Sequence, residues 1–376
     1  MKNITLTMIG ATYAVMTSIG AMNASFGAVL PLLESRFVVS SDLIGFLGTA
    51  QTVGGVLGNL STAFLERRFS IGQQMLIGSA VFAAGAVAFA VAFWLQLGFA
   101  VALLALFLMG LGLGLFQVNY ASVFSKGFGA RSSAMMSVMS TAFAVGSIIG
   151  PLLAVWLAAL YAWLPVLFAA VALISAAALR RMVMPSLLPT ARGGAIGTEV
   201  WLFAVMIGLY VVAEQGAAFW GITHLVSIGW EAPAAAAVFS SFWLALLIGR
   251  LCGAALAVRI RGEVVLVVAL SVGTLALAAT NIAAIAAPAY LLVGLFYAPT
   301  FPIGLTLMAQ RNPSSLATTI YLIAGSVGAA VGTPLVGWCK SQFGDAAIPV
   351  SLTVASALCL GLLLFLLRAR QTSQRL

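Results

Sequence analysis

Twelve stretches of this chain are each long and apolar enough to cross a bilayer, and that count restricts the fold more than any other feature. About 30 Å of hydrocarbon takes roughly 20 residues of helix. Suitable runs fall near residues 5–33, 41–64, 72–94, 97–123, 133–158, 160–179, 199–227, 233–258, 263–283, 285–309, 314–339 and 346–368. Every backbone amide inside lipid needs a partner, and consecutive apolar runs of this length meet that need as helices. With 63% hydrophobic and 7% charged residues among 376, the chain lies far from a soluble domain, where about a quarter of residues are charged. The expectation is an all-α integral membrane protein. The first run exceeds a signal-peptide core and carries Asn23 and Pro31, so it reads as a permanent span.

Basic residues set the orientation. Lys2, Arg67, Arg68, Lys126, Arg131, Arg180, Arg181, Arg192, Arg259, Arg261, Arg311, Arg368, Arg370 and Arg375 fall on one side, and only Arg36 and Lys340 on the other. Both termini are therefore expected in the cytoplasm, with the protein in the cell (inner) membrane. The formal charge of +9 follows from this asymmetry and lends nothing to nucleic-acid binding, which would cluster the charge. Cys252, Cys339 and Cys359 show no metal-like spacing and read as packing residues. No phosphate loop, metal cluster or nucleophile triad is present in the sequence. That speaks against an ATP-driven pump or an enzyme, and no cofactor or metal is expected.

The longest polar interval holds Arg180, Arg181, Pro185, Pro189, Arg192 and Gly193-Gly194, and it divides the chain into similar halves. The expected organisation is 1–179 as one six-helix bundle, 180–198 as a cytoplasmic linker and 199–376 as a second bundle. A weak internal repeat agrees with this. Gly58-Asn59-Leu60 aligns with Gly249-Arg250-Leu251, and Arg68 with Arg259; later in each half, Gly146 aligns with Gly328 and Gly150 with Gly332. Two pseudo-symmetric bundles of common ancestry are the pattern of secondary transporters.

Among the 8 acidic residues, Glu214 is the one deep inside an apolar run. A carboxylate at that depth costs roughly 2.5–3.5 kcal/mol to insert, so it usually faces a polar cavity and takes part in transport. The structural alternative is a carboxyl that pairs with Arg250 to hold two helices together. Polar and aromatic residues near mid-membrane supply the candidate substrate contacts: Asn23, Gln51, Gln117, Asn119, Glu214, Gln215, Trp220, Trp243 and Tyr297. Amides beside aromatic faces suit a neutral polyhydroxylated ligand. The competing reading of each amide is an interhelical hydrogen bond, preferred for Asn281 near its helix end. His224 reads as a capping or gating residue, and Arg250 as a structural charge near the cytoplasmic gate.

Several motifs resemble the major facilitator superfamily. The stretch from Gly58 to Gly78 is similar to that family's loop after the second helix, with Glu66, Arg67 and Arg68 kept and the Asp-Arg-x-Gly order lost. The resemblance implies a gating charge network there. Gly146-Ser147-Ile148-Ile149-Gly150-Pro151 in the fifth helix resembles an antiporter signature. In the second half, Tyr210-Val211-Val212-Ala213-Glu214, Trp220, Phe242-Trp243, Gly249-Arg250 and Tyr297-Ala298-Pro299-Thr300-Phe301-Pro302 resemble the fucose–galactose–glucose symporter group in the same order. This resemblance implies the major facilitator fold, with twelve transmembrane helices in two six-helix bundles, and a monomer.

The departures are informative. Proton-coupled members of that group carry acids in the first and fourth helices, whereas here Gly20-Ala21-Met22-Asn23-Ala24 and Gly112-Leu113-Gly114-Leu115-Phe116-Gln117-Val118-Asn119 carry none. Glu214 is thus the proton-coupling candidate. The expected function is secondary active transport of a small polar solute, a sugar or related polyol, coupled to protons. The alternatives are a drug or metabolite exporter of the same superfamily and a receptor-like bundle without transport. Expected partners are the solute, protons and the lipid bilayer.

Overall fold

The computed structural model describes residues 2–126, 132–179, 197–257, 259–312 and 314–373. Fourteen α-helices account for most of them. The first unit holds α1 (Lys2–Phe37), α2 (Ser41–Ile44), α3 (Phe46–Leu65), α4 (Ile71–Leu95), α5 (Phe99–Lys126), α6 (Ser132–Trp156) and α7 (Leu164–Leu179). The second holds α8 (Thr198–Ser227), α9 (Ala232–Ala257), α10 (Gly262–Ala279), α11 (Ala286–Tyr297), α12 (Thr300–Arg311), α13 (Ser315–Phe343) and α14 (Ala347–Ser373). Among the described residues, twelve spans are long and apolar enough to cross a membrane, as the hydropathy pattern predicts. In the second span α2 leads into α3, and in the tenth α11 leads into α12.

The chain divides into two compact units, Met1–Leu188 and Pro189–Leu376. Most of the 180–198 linker named from sequence lies outside the described residues, and α8 starts at Thr198. The uncertain boundary between the fifth and sixth spans resolves into a 3-10 turn, Ala158–Trp163, placed between α6 and α7. Helix ends follow capping chemistry. Ser70 and Gln73 form a reciprocal capping box at the start of α4, which satisfies two amides that the first turn leaves free. At the end of α13, Gly344 adopts φ 80° and returns its N–H to the Lys340 carbonyl at 2.8 Å, a left-handed exit that glycine makes without a Cβ clash.

The units use matching seams. In the first, α6 packs along α1, and α5 lies between α3 and α4; in the second, α13 packs along α8, and α11 along α9. A Cβ at Gly146 or Gly150 would overlap the carbonyls of Thr17 or Ala21 on α1, and one at Gly328 would overlap that of Gly208 on α8. Gly146, Gly150 and Gly328 of the sequence repeat are therefore among the points of close backbone approach, which dispersion favours where lipid removes the hydrophobic drive.

The tenth span is broken in its middle. Pro299 has no N–H to donate and its ring crowds the preceding turn, so α11 stops at Tyr297 and α12 restarts at Thr300. Two hydroxyls from neighbouring helices reach carbonyls at the break. Tyr210 of α8 donates to the Tyr297 oxygen at 3.0 Å, and Tyr321 of α13 donates to the Phe301 oxygen at 3.0 Å.

Candidate functional site

The densest polar constellation of the second unit gathers around this break. Glu214 is buried in the middle of α8, 6% exposed. One turn earlier on the same face, Tyr210 sets its hydroxyl beside the carboxyl; Gln215 approaches it as well, and the Arg250 guanidinium of α9 acts on it electrostatically. The Tyr210 and Tyr297 rings lie 5.4 Å apart, centroid to centroid. Beyond them the Tyr297 hydroxyl donates to Ser356 Oγ of α14, which also meets Thr274 Oγ1 of α10 at 2.6 Å. Four helices, α8, α10, α11 and α14, thus contribute to one largely buried polar array, with the exposed Arg250 of α9 acting on it from outside.

The other aromatic candidates have structural partners. Trp220 is fully buried and donates from Nε1 to the Thr333 carbonyl at 2.8 Å, next to Pro334 within α13. Trp243 is buried edge-on against Phe242. His224 lies in the last turn of α8, yet its side chain turns inward to the Tyr290 hydroxyl at 3.0 Å. The end of α8 is closed by the His224 backbone oxygen, which accepts from the Ile228 amide, so the ring does no capping. Asn281 is exposed and bonds the Ala278 carbonyl at 3.0 Å.

In the first unit, Asn23 of α1 and Gln51 of α3 are brought together: Gln51 Nε2 donates to Asn23 Oδ1 at 3.2 Å, with Asn23 exposed. Gln117 is half-buried on α5. Asn119 is buried, and its Nδ2 donates to the Leu115 carbonyl at 2.7 Å and to Gln74 Oε1 of α4 at 3.4 Å. Glu66, Arg67 and Arg68 form the turn after α3, with Glu66 half-buried and both arginines exposed. Of the three cysteines only Cys359 is packed in the core; Cys252 is exposed on α9, which corrects the reading of all three as packing residues.

Sequence reasoning missed a charge network at one end of the second unit. Arg311 ends α12 with its side chain 9% exposed, and it bonds Glu199 of α8 and Glu263 of α10 at 2.8 Å each. Arg261 reaches Glu263 at 3.0 Å, and the Arg311 guanidinium lies 5.5 Å from the Phe203 ring centroid. Both glutamates sit in first helical turns and Arg311 in a last turn, where each complements the helix dipole. That placement was the available signal.

Two pseudo-repeated sets of six apolar spans, with a broken helix beside a buried carboxylate, define the class: a polytopic carrier built from paired helical bundles. The chain belongs to the Major Facilitator Superfamily, whose model matches residues 6–321, and it has the twelve-helix fold of that family's transporters. It is similar to a crystal structure of the nucleoside transporter NupG, a point mutant, with 11% identity, TM-score 0.81, and 96% of this chain and 99% of that one covered. It is also similar to the D-xylose-proton symporter (15% identity, TM-score 0.74, 94% and 97% covered). A third similar structure is the POT family transporter PepTSo (12% identity, TM-score 0.76, 98% of each chain). No curated protein matches the chain.

Proposed function

We propose that this transporter moves a small polar solute, a sugar or related polyol, by alternating access coupled to protons, with Glu214 as the proton-carrying group. The observation that carries the proposal is the placement of the Glu214 carboxyl against Tyr210 at the broken tenth span. Tyr210 has one hydroxyl proton, and it is directed at the Tyr297 carbonyl. A carboxyl buried in the middle of a spanning helix beside a broken span is suited to a carrier.

On this reading Glu214, Gln215 and Tyr297 serve the solute from the second unit. Asn23, Gln51, Gln117 and Asn119 serve it from the first. Both termini and residues 180–198 face the cytoplasm across the cell (inner) membrane, and the protein works as a monomer. The fucose–galactose–glucose symporter group is the proposed affiliation, and similarity to the D-xylose-proton symporter accords with a sugar substrate. The exporter alternative is weakened because the Gly146 and Gly150 motif that favoured it has a packing role against α1.

Glu214→Gln tests the coupling. The amide keeps size and hydrogen bonding but is fixed neutral, so reconstituted protein is expected to retain solute exchange and lose uphill, pH-driven accumulation. Retained uphill uptake would exclude the carrier role. A fall in folded yield that removes both activities equally would assign Glu214 to structure.

A further inference from the structure

In the second unit, α9 and α10 touch sparsely, while both pack on α11. The result is an outward-facing groove of about 300 Å³ with α9 and α10 as walls and α11 as floor. Gly253, Leu256 and Ile260 form one wall, Val264 and Val268 the other, and Phe296 closes the floor next to Pro299. Leu256, Ile260, Val264 and Val268 are each more than two-fifths exposed, so the groove is a continuous apolar surface with no protein cover among the described residues. The break in the tenth span gives it depth, since α11 ends at its floor.

The mouth of the groove carries charge. Ile260 lines it and stands in sequence between Arg259 and Arg261, both exposed. Arg261 shares Glu263 with Arg311, and Arg311 also holds Glu199. No carboxylate among the described residues pairs with Arg259. Three arginines therefore stand against two glutamates, with positive charge left over where the apolar walls end. A second apolar groove, between α8, α13 and α14, is larger, at about 630 Å³. The cation nearest it in sequence, Lys340, is held by Asp345 at 3.6 Å and lies over the Trp220 ring. Size alone does not distinguish the smaller groove; its unbalanced charge does.

We propose that the α9–α10 groove is a binding site for one anionic phospholipid, its acyl chain along the Leu256, Val268 and Phe296 walls and its phosphate at Arg259 and Arg261. An arginine fork donates to phosphate oxygens in paired geometry, and each basic side chain near a membrane surface favours an anionic headgroup by about fivefold. A zwitterionic lipid can fill the walls and offer the same phosphate, but its headgroup cation cancels the net charge and so forfeits the preference at the mouth. The site depends on neither the solute nor the coupling ion.

Native mass spectrometry of the full-length protein, delipidated and then offered equal amounts of phosphatidylglycerol and phosphatidylcholine, tests this. One phosphatidylglycerol is expected to be retained over phosphatidylcholine by about fivefold or more. Arg259→Gln is expected to abolish that preference and Arg259→Lys to keep most of it. Val268→Trp, which fills the groove, should release the lipid, whereas Val354→Trp in the other groove should leave the preference intact. Arg259 is exposed and outside the Arg311 network, so its variants decide the matter even if a filled groove folds poorly. Equal retention of the two lipids, or an unchanged preference in Arg259→Gln, means bulk lipid only and overturns the site. Loss of the preference in Val354→Trp overturns its location.

Discussion

Along α1 the backbone of α6 approaches so closely at Gly146 and Gly150 that no side chain fits between them; along α8 the backbone of α13 does the same at Gly328. The two units share this scaffold and differ in what they mount on it. The first places amides at its helix faces, Asn23 with Gln51 and Asn119 with Gln74. The second mounts ionisable groups: Glu214 in the middle of α8, and Arg311 between Glu199 and Glu263 at one end. The seam packing is thus repeated, and different polar side chains are mounted on it.

The sharpest break of this comparison is at Arg311. Arg311→Gln leaves two carboxylates without their shared cation and is expected to cost about 3 kcal/mol, read as a drop in the midpoint of thermal unfolding in detergent. In the first unit, Arg68→Gln removes an exposed charge and is expected to change stability by less than about 1 kcal/mol. Equal effects would show that the units do not differ in their use of charge. Next in size are the seams. Gly146→Val and Gly328→Val each force a side chain into backbone and are expected to cost about 1–3 kcal/mol, with similar losses of monodisperse protein for both. A loss at one seam alone would contradict the shared scaffold.

Smaller still is the polar array of the second unit. Ser356→Ala removes the acceptor of the Tyr297 hydroxyl, and interhelical hydrogen bonds in membranes are worth about 0.6 kcal/mol on average. Its stability is expected to fall by that order, with a rise in solute KM as Tyr297 loses its orientation. The smallest effect on stability is expected for Asn23→Ala, because Asn23 is exposed and bonds only Gln51 at 3.2 Å. Its effect belongs in solute affinity, measured by binding to the purified protein. A variant that destabilises the fold without touching affinity would place Asn23 among the packing residues.

What the sequence made legible was whatever is written locally. Twelve apolar runs are each contiguous, and the glycines of the repeat lie four apart on one helix, so both could be read from composition and spacing. Glu214 stood out because its surroundings in the chain are apolar. Arg311 did not, since its two partners lie 112 and 48 positions away, and at a helix end it read as one more topological charge. Ser356 and Thr274 were silent for another reason. Serine and threonine in spanning helices commonly bond their own backbone a turn earlier, as Ser326 does to Leu322, and nothing in the chain separates those from the pair that meet between α10 and α14. Pro299 was noticed as part of a motif, but the interruption it causes depends on which neighbouring hydroxyls arrive to take the exposed carbonyls.

The half-helix after that interruption has a mechanical consequence. From Thr300 to Arg311 it rises about 17 Å at 1.5 Å per residue. Arg311 ties one end of α12 to Glu199 of α8 and Glu263 of α10, and the Tyr321 hydroxyl of α13 ties the other end through the Phe301 carbonyl. The segment is a strut pinned at both ends, while α11 is held separately, packed on α9 with its Tyr297 carbonyl bonded by Tyr210. Any movement of one half of the tenth span against the other has to be taken up at Ala298 and Pro299, which makes that dipeptide the joint of the unit.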